Sequence, residues 1–210
     1  MNGLNIENAE SESAVNARMR RIDIFKAFLF WNYMDSQQDI SLLKLKMVEI
    51  GVDTGHFSSA LLAAFPNCSL QLIDPWKLST TESNAIHGSH NTTQSNLDEK
   101  YLHVKNKFAS ESRVSIFRGT AREFHSESPN YFADVIYIDG DHSFLNCHED
   151  LVISDSMNKP GSLVILDDYM WQPNHRWGVV QAINVFIGSN PQRYMVHGKV
   201  DGQVSIIRLE

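Results

Sequence analysis

Cysteine is nearly absent, with only Cys68 and Cys147 in 210 residues. Two thiols cannot build a disulfide framework or a four-thiolate zinc site, and such scarcity points to a reducing, cytoplasmic setting. Positive charge is in deficit: 18 Lys plus Arg stand against 25 Asp plus Glu, a formal net charge of −7. So acidic a chain is ill suited to holding a phosphate backbone by counterion release, which argues against a nucleic-acid partner. Long apolar runs are missing too. The strongest near the N-terminus, Ala27-Phe28-Leu29-Phe30-Trp31, is closed by Lys26 and Asn32 and cannot span a bilayer. Met1 to Glu10 has no basic stretch leading into an apolar signal core, so no membrane partner is expected either.

What is present suits one globular domain of ordinary size, since 42% of residues are hydrophobic and 20% charged. Residues 1–14 are polar and acidic and read as a flexible leader. Residues 15–43 read as a helical segment, with Met19, Ile22, Phe25, Phe28 and Leu29 recurring at helical spacing. Phe30, Trp31 and Tyr33 widen its apolar surface beyond one stripe, so it is expected to pack on the core and also to serve as a lid or a homo-oligomer interface. From residue 44 to 210 the pattern becomes regular. Strands are expected at 47–51, 69–74, 114–118, 134–138 and 162–166, with helices at 58–65, 97–108, 145–156 and 179–187 between and after them. Lys77 to Asn96 is rich in Ser, Thr, Asn and His and reads as a long loop. Strands alternating with helices call for a parallel sheet covered on both faces. The chain ends differently: Asp201-Gly202 between two alternating runs signals an antiparallel hairpin.

The first strand runs into Glu49-Ile50-Gly51-Val52-Asp53-Thr54-Gly55-His56. Glycines at a strand-to-helix turn let a ligand approach the backbone, and the helix N-terminus offers N–H groups. A dinucleotide fingerprint would need glycine where Asp53 and His56 stand, and a carboxylate at 53 would repel a pyrophosphate. No Gly-Lys-Ser/Thr follows for a nucleoside triphosphate. S-adenosyl-L-methionine suits the turn better, because it has no phosphate and carries an ammonium and a sulfonium that Glu49 and Asp53 can attract. Asp74, at the end of the second strand, is placed to accept hydrogen bonds from the ribose hydroxyls, and Pro75 and Trp76 to shape the adenosine pocket.

With EIGVDTG, LIDPW, FRGTA, YIDGDH and the terminal hairpin, the chain resembles the class I S-adenosylmethionine-dependent methyltransferases over roughly Lys44 to Leu209. The resemblance implies an α/β, Rossmann-like, seven-stranded, mostly parallel sheet with helices on both faces. It implies a cofactor lying across the C-terminal ends of the first strands, contacted at Glu49, Gly51, Asp53, Gly55, His56, Asp74, Trp76 and Asp139. The Arg118-Gly119-Thr120-Ala121 segment, Thr120 and Ala121 above all, would lie beside the adenine.

A second cluster closes two later strands: Tyr137-Ile138-Asp139-Gly140-Asp141-His142, and Leu166-Asp167-Asp168-Tyr169. If these strands are neighbours, Asp139, Asp167 and Asp168 converge, and three carboxylates repel unless protonated or bridged by a cation. Mg²⁺ or a similar hard divalent ion is the natural bridge, although single aspartates at such positions also serve as turn and cap residues. The arrangement resembles the macrocin-type sugar O-methyltransferases of methyltransferase family 24, and more distantly the catechol and caffeoyl-CoA O-methyltransferases. Carried over by motif, Asp139, Asp167 and Asp168 are metal ligands, and His142 falls where the catechol group has a lysine base. Asp139 and His142 would then be the catalytic pair, and Trp177-Gly178-Val179 also matches the macrocin-like branch. His87 and His90 lie in the polar loop without further ligands at zinc spacing. Trp171, His175, Arg176 and Trp177 are candidates for lining the acceptor pocket, with Tyr169 beside them.

The expected function is metal-dependent O-methylation of a small-molecule hydroxyl, on a sugar or a phenol. Two alternatives stay open at this stage. One is a metal-independent N- or O-methyltransferase whose aspartates hold an acceptor amine; the other is an S-adenosylmethionine-binding protein without catalysis.

Overall fold

Along the first strand, alternate side chains enter two separate cores: Met47 joins one apolar cluster, Val48 and Ile50 the other. That two-sided burial is the mark of a strand at the centre of a covered parallel sheet. The structure, a computed structural model, describes residues 11–34, 39–78, 92–169 and 178–210. Its strands are β1 (Lys46–Ile50), β2 (Ser69–Asp74), β3 (Val114–Arg118), β4 (Ala133–Ile138), β5 (Asn158–Leu166), β6 (Tyr194–Val200) and β7 (Gln203–Arg208). They form one sheet in the order β3-β2-β1-β4-β5-β7-β6. The first five are parallel, whereas β7 runs antiparallel to β5 and to β6. The β6–β7 turn is Asp201-Gly202, with φ of 49° and 86°, the positive values that a tight hairpin needs.

Among the described residues, six α-helices cover the sheet: α1 (Glu12–Tyr33), α2 (His56–Ala64), α3 (Gln94–Lys107), α4 (Ala121–Glu127), α5 (Phe144–Met157) and α6 (Gly178–Ser189). Residues of α1, α2 and α3 join Leu72, Val135 and Ile165 on one face, and residues of α4, α5 and α6 join Ile136, Val164 and Ile206 on the other. None of the helices described is long and apolar enough to cross a membrane. The strand order reverses between β1 and β4, the switch point outside which ligands of open α/β sheets bind.

Several local expectations are corrected. Helix α1 begins at Glu12 because Ser11 Oγ accepts a hydrogen bond from Ala14 N, capping the chain inside the segment read as leader. Met19 is exposed, and the buried stripe is Ile22, Ile24, Phe25, Phe28 and Leu29. Helix α4 was not anticipated, because it has only seven residues; its Thr120-to-Glu123 capping box is the signal that marks it. Strand β5 starts at Asn158, pairing with Ala133 across a register shift that accommodates Pro160 and Gly161. His87, His90, Trp171, His175, Arg176 and Trp177 lie outside the described residues, as does most of the Lys77–Asn96 loop.

One contact positions everything that follows. Gly51 leaves β1 with φ of 88°, and a Cβ there would sit 2.2 Å from the Asp139 carbonyl oxygen and 2.6 Å from Gly140 Cα. Only glycine lets the ends of β1 and β4 come this close. Gly51→Ala should therefore cost about 3 kcal/mol or more, combining positive-φ strain with backbone overlap. Urea denaturation checks this, and an unchanged midpoint would contradict the packing described.

Candidate active site

The turn after β1 is held by backbone rather than by side chains alone. Gly55, with φ of 70°, caps α2 and has no side chain to clash with Phe108, whose ring lies 2.9 Å from where a Cβ would stand. Asp74, at the end of β2, grips the same turn. Its Oδ2 accepts hydrogen bonds from Val52 N (2.9 Å) and Asp53 N (3.0 Å), and its Oδ1 from Trp76 N (2.7 Å). Asp74, expected at the ribose hydroxyls, thus has both carboxylate oxygens engaged in bracing the turn. Trp76 is 1% exposed, donates its indole N–H to the Asp53 carbonyl at 2.8 Å and packs on Tyr101, so it offers a ligand no open face here. Thr120 caps α4, Ala121 is buried, and Gly119 N donates to Asp74 O, which ties the FRGTA segment to the same sheet edge. Three of the four described non-glycine residues with positive φ, Asp53, Trp76 and Asp168, lie at this edge, a concentration of strain typical of functional sites.

A cavity of about 390 Å³ opens between this turn and α1. Glu49, Gly51, Asp53, His56 and Asp139 line it, whereas Gly55, Asp74, Trp76, Thr120 and Ala121 do not. Its far wall is the first turns of α1, including Ala14, Ala17, Arg18 and Arg21. Asp53 extends outward and is paired with Lys100 of α3. Glu49 is fully buried, and Ser58 Oγ donates to its Oε2 at 2.6 Å. Burial pushes its carboxyl up to about 8, against the lowering effect of Ser58, so it holds a proton at neutral pH.

Asp139 joins this cavity to the second cluster. Atoms of Asp139, His142 and Asp168 lie within 4.8 Å of one another. His142 stands between the two acids, with Nε2 3.4 Å from Asp139 Oδ1 and Nδ1 3.5 Å from Asp168 Oδ2. Burial alone would lower the His142 pKa, but contact with Asp139 and the charges of Asp168 and Asp139 raise it overall. The loop carrying His142 is pinned by α6, since a Cβ on Gly178 would meet the His142 carbonyl at 2.2 Å.

Asp167, the third acid of the expected metal set, takes a different partner. It is 5% exposed, and Arg21 Nε of α1 lies 3.1 Å from its Oδ2, as an ion pair without the alignment of a good hydrogen bond. Burial first, then the charge of Asp139, pushes the Asp167 carboxyl up to about 6, while Arg21 opposes the rise. Arg21 Nη1 also approaches Asp139 Oδ2 at 4.0 Å. Sequence reasoning passed over Arg21, although a signal was there: at helical spacing it shares a face with Phe25 and Phe28, where a charge needs a buried partner.

The donor set suits a hard divalent ion. One ligand atom from each of Asp139, His142 and Asp168 lies within 4.8 Å of the other two, two carboxylates and one imidazole nitrogen, where the ligands of a bound ion would draw in to about 3 Å from one another.

A sheet in this order, a glycine turn at its switch point and an acid ending β2 define a class I S-adenosylmethionine-dependent methyltransferase. The family model for a methyltransferase domain, methyltransferase family 24, matches residues 48–169, and the chain belongs to that family. No curated protein matches it. Among solved structures, the O-methyltransferase NovP aligns with a TM-score of 0.62 at 16% identity, covering 90% of this chain and 80% of that one. TomG from Streptomyces achromogenes, an O-methyltransferase of tomaymycin synthesis solved with S-adenosylmethionine, aligns at 0.55 and 16% identity, covering 99% and 93%. Apo CalS11, a TDP-rhamnose 3′-O-methyltransferase of calicheamicin biosynthesis, aligns at 0.53 and 16% identity, covering 97% and 89%. At these identities the likeness is one of fold.

Two outcomes test the site. Asp74→Ala should weaken S-adenosylmethionine binding at least tenfold and cost about 1–3 kcal/mol of stability, because three backbone N–H groups lose their acceptor. Calorimetry showing wild-type affinity would reject Asp74 as a brace of the cofactor turn. Glu49 makes stability depend on pH. Between its unfolded pKa near 4.5 and its folded value of about 8, the folded state keeps a proton that the unfolded state has lost. Stability should therefore fall as pH rises through that window, by at most ~1.4 kcal/mol per pH unit. In urea titrations from pH 5 to 8, Glu49→Gln should show a shallower decline than the wild type; equal slopes would contradict a protonated Glu49.

Proposed function

We propose that this protein transfers a methyl group from S-adenosylmethionine to a hydroxyl oxygen of a small molecule, with a divalent cation held at the acid cluster. The observation that carries this reading is the position of Asp139, which lines the cofactor cavity with its backbone against Gly51 and also belongs to the cluster with His142 and Asp168. Donor and acceptor sites then share one residue, so the reacting atoms need only bind to be brought together. A sugar or phenol hydroxyl fits the reading, and one structural neighbour, CalS11, is a TDP-rhamnose 3′-O-methyltransferase.

Asp139 and Asp168 would hold the cation, completed either by Asp167 or by one nitrogen of His142. When bound, it supplies a Lewis acid that lowers the pKa of an acceptor hydroxyl, and S-adenosylmethionine supplies a methyl on a positively charged sulfur. The rest falls to the chain itself. The N-terminus of α2, whose His56 and Phe57 line the cavity, presents backbone N–H groups to the methionyl carboxylate, since those of Gly51, Val52, Asp53 and Gly55 are already donated within the fold. Glu49 accepts the methionyl ammonium, giving up its proton in doing so. His142, fixed by the Gly178 contact, takes the proton from the acceptor hydroxyl at whichever nitrogen faces it. In the empty protein the first turns of α1 close the cavity on one side.

The test is methyl transfer from labelled S-adenosylmethionine to panels of hydroxyl and amine acceptors, with and without EDTA. Transfer to a hydroxyl should disappear with chelator and return with Mg²⁺, and Asp168→Asn should lower turnover at least 100-fold while cofactor affinity stays within a few-fold. Activity untouched by EDTA would reject the cation, and transfer confined to amines would reject the hydroxyl acceptor. His142→Ala separates its two possible parts: loss of ion binding marks a ligand, whereas retained ion binding with lost turnover marks the base.

A further inference from the structure

Helix α1 is held in two different ways along its length. Every residue it buries lies from Ile22 onward, with Phe25 packed against Phe57, Phe65 and Tyr137, and Phe28 seated where Gly198 leaves room. From Glu12 to Arg21 none of its residues is buried, yet this half forms the wall of the cofactor cavity through Ala14, Ala17, Arg18 and Arg21. Two ion pairs mark the boundary between the halves: Arg20 with Asp201 of the β6–β7 turn at 2.6 Å, both well exposed, and Arg21 with Asp167 at 3.1 Å, where the acid is 6% exposed. An exposed pair contributes little, so the pair with the buried Asp167 is the stronger of the two.

Arg21 is also the cationic side chain that meets the three acids. It faces Asp167 and Asp139 directly, and the charges of Asp167, Asp139 and Asp168 all act on it. A guanidinium and a dication drawn to the same carboxylate oxygen compete for it, because they repel each other at separations of about 4 Å with twice the energy of two single charges. We propose that Arg21 is a built-in counter-ion that occupies Asp167 in the empty protein, and that a divalent cation engaging Asp167 displaces it and releases the first turns of α1 from the cavity wall. The inference rests on the cation reading above and adds to it a latch that ties ion loading to access for the cofactor. The hinge falls between Arg21 and Ile22, where electrostatic attachment gives way to apolar packing.

The experiment uses Mn²⁺ as the probe, with the free-ion signal in electron paramagnetic resonance reporting binding and amide hydrogen exchange reporting the helix. Arg21→Gln should bind Mn²⁺ at least about tenfold more tightly than the wild type, since a competing charge is gone. Arg20→Gln, which cuts only the exposed pair, should bind as the wild type does. In the wild type, Mn²⁺ should speed exchange at residues 12–21 and leave residues 22–33 unchanged. This last measurement needs no variant and stands even if Arg21→Gln fails to fold. Equal or weaker Mn²⁺ binding by folded Arg21→Gln, or exchange at 12–21 that Mn²⁺ does not alter, overturns the latch while leaving the cation reading intact. Absence of Mn²⁺ binding in both proteins overturns the two together.

Discussion

The backbone of Gly51 rests against the backbone of Asp139 and Gly140, and the site depends on that contact. Neighbouring parallel strands in an open sheet usually diverge at their carboxyl ends into separate loops. Here the missing side chain at 51 lets the β1 and β4 loops meet, with Asp139 N also donating to Ile50 O at 2.8 Å. The cavity beside the turn thereby acquires a carboxylate from the neighbouring strand, and Asp167, whose N donates to Ile138 O, extends the same edge by one strand more.

Charge management is the second theme. Glu49, Asp74, Asp139, Asp167 and Asp168 gather along one sheet edge, and they are accommodated in four different ways. Glu49 is buried and protonated, Asp74 is saturated by backbone N–H groups, Asp167 meets a guanidinium, and Asp139 and Asp168 flank an imidazole. A site that only had to be stable would not collect so many like charges. A cationic cofactor and the proposed divalent ion would give them a common purpose.

Much of this was legible in the residues. Two-sided apolar runs named β1, β2, β4 and the second half of β5, and Asp201-Gly202 named the hairpin, because both signals are local. The convergence of Asp139 with Asp168 followed from placing two such strands side by side. Other features depend on contacts that span the chain. That Asp167 turns to Arg21, 146 positions away by their numbers, is set by how α1 crosses the sheet, and nothing near Asp167 announces it. Trp76 and Asp74 read as ligand contacts because they end a strand, but the structure employs them first in holding the neighbouring turn. Helix α4 was missed for want of length, although its capping box was written in plain sight.

The central claim is that cofactor and cation sit on opposite sides of Asp139. A crystal structure with S-adenosylhomocysteine and Mn²⁺, the ion located by its anomalous signal, tests it most directly. The account predicts the homocysteine arm in the cavity bounded by Gly51 and α1, with manganese bound to Asp139 and Asp168. Manganese bound away from both aspartates, or a homocysteine arm that avoids the Gly51 turn, would contradict it.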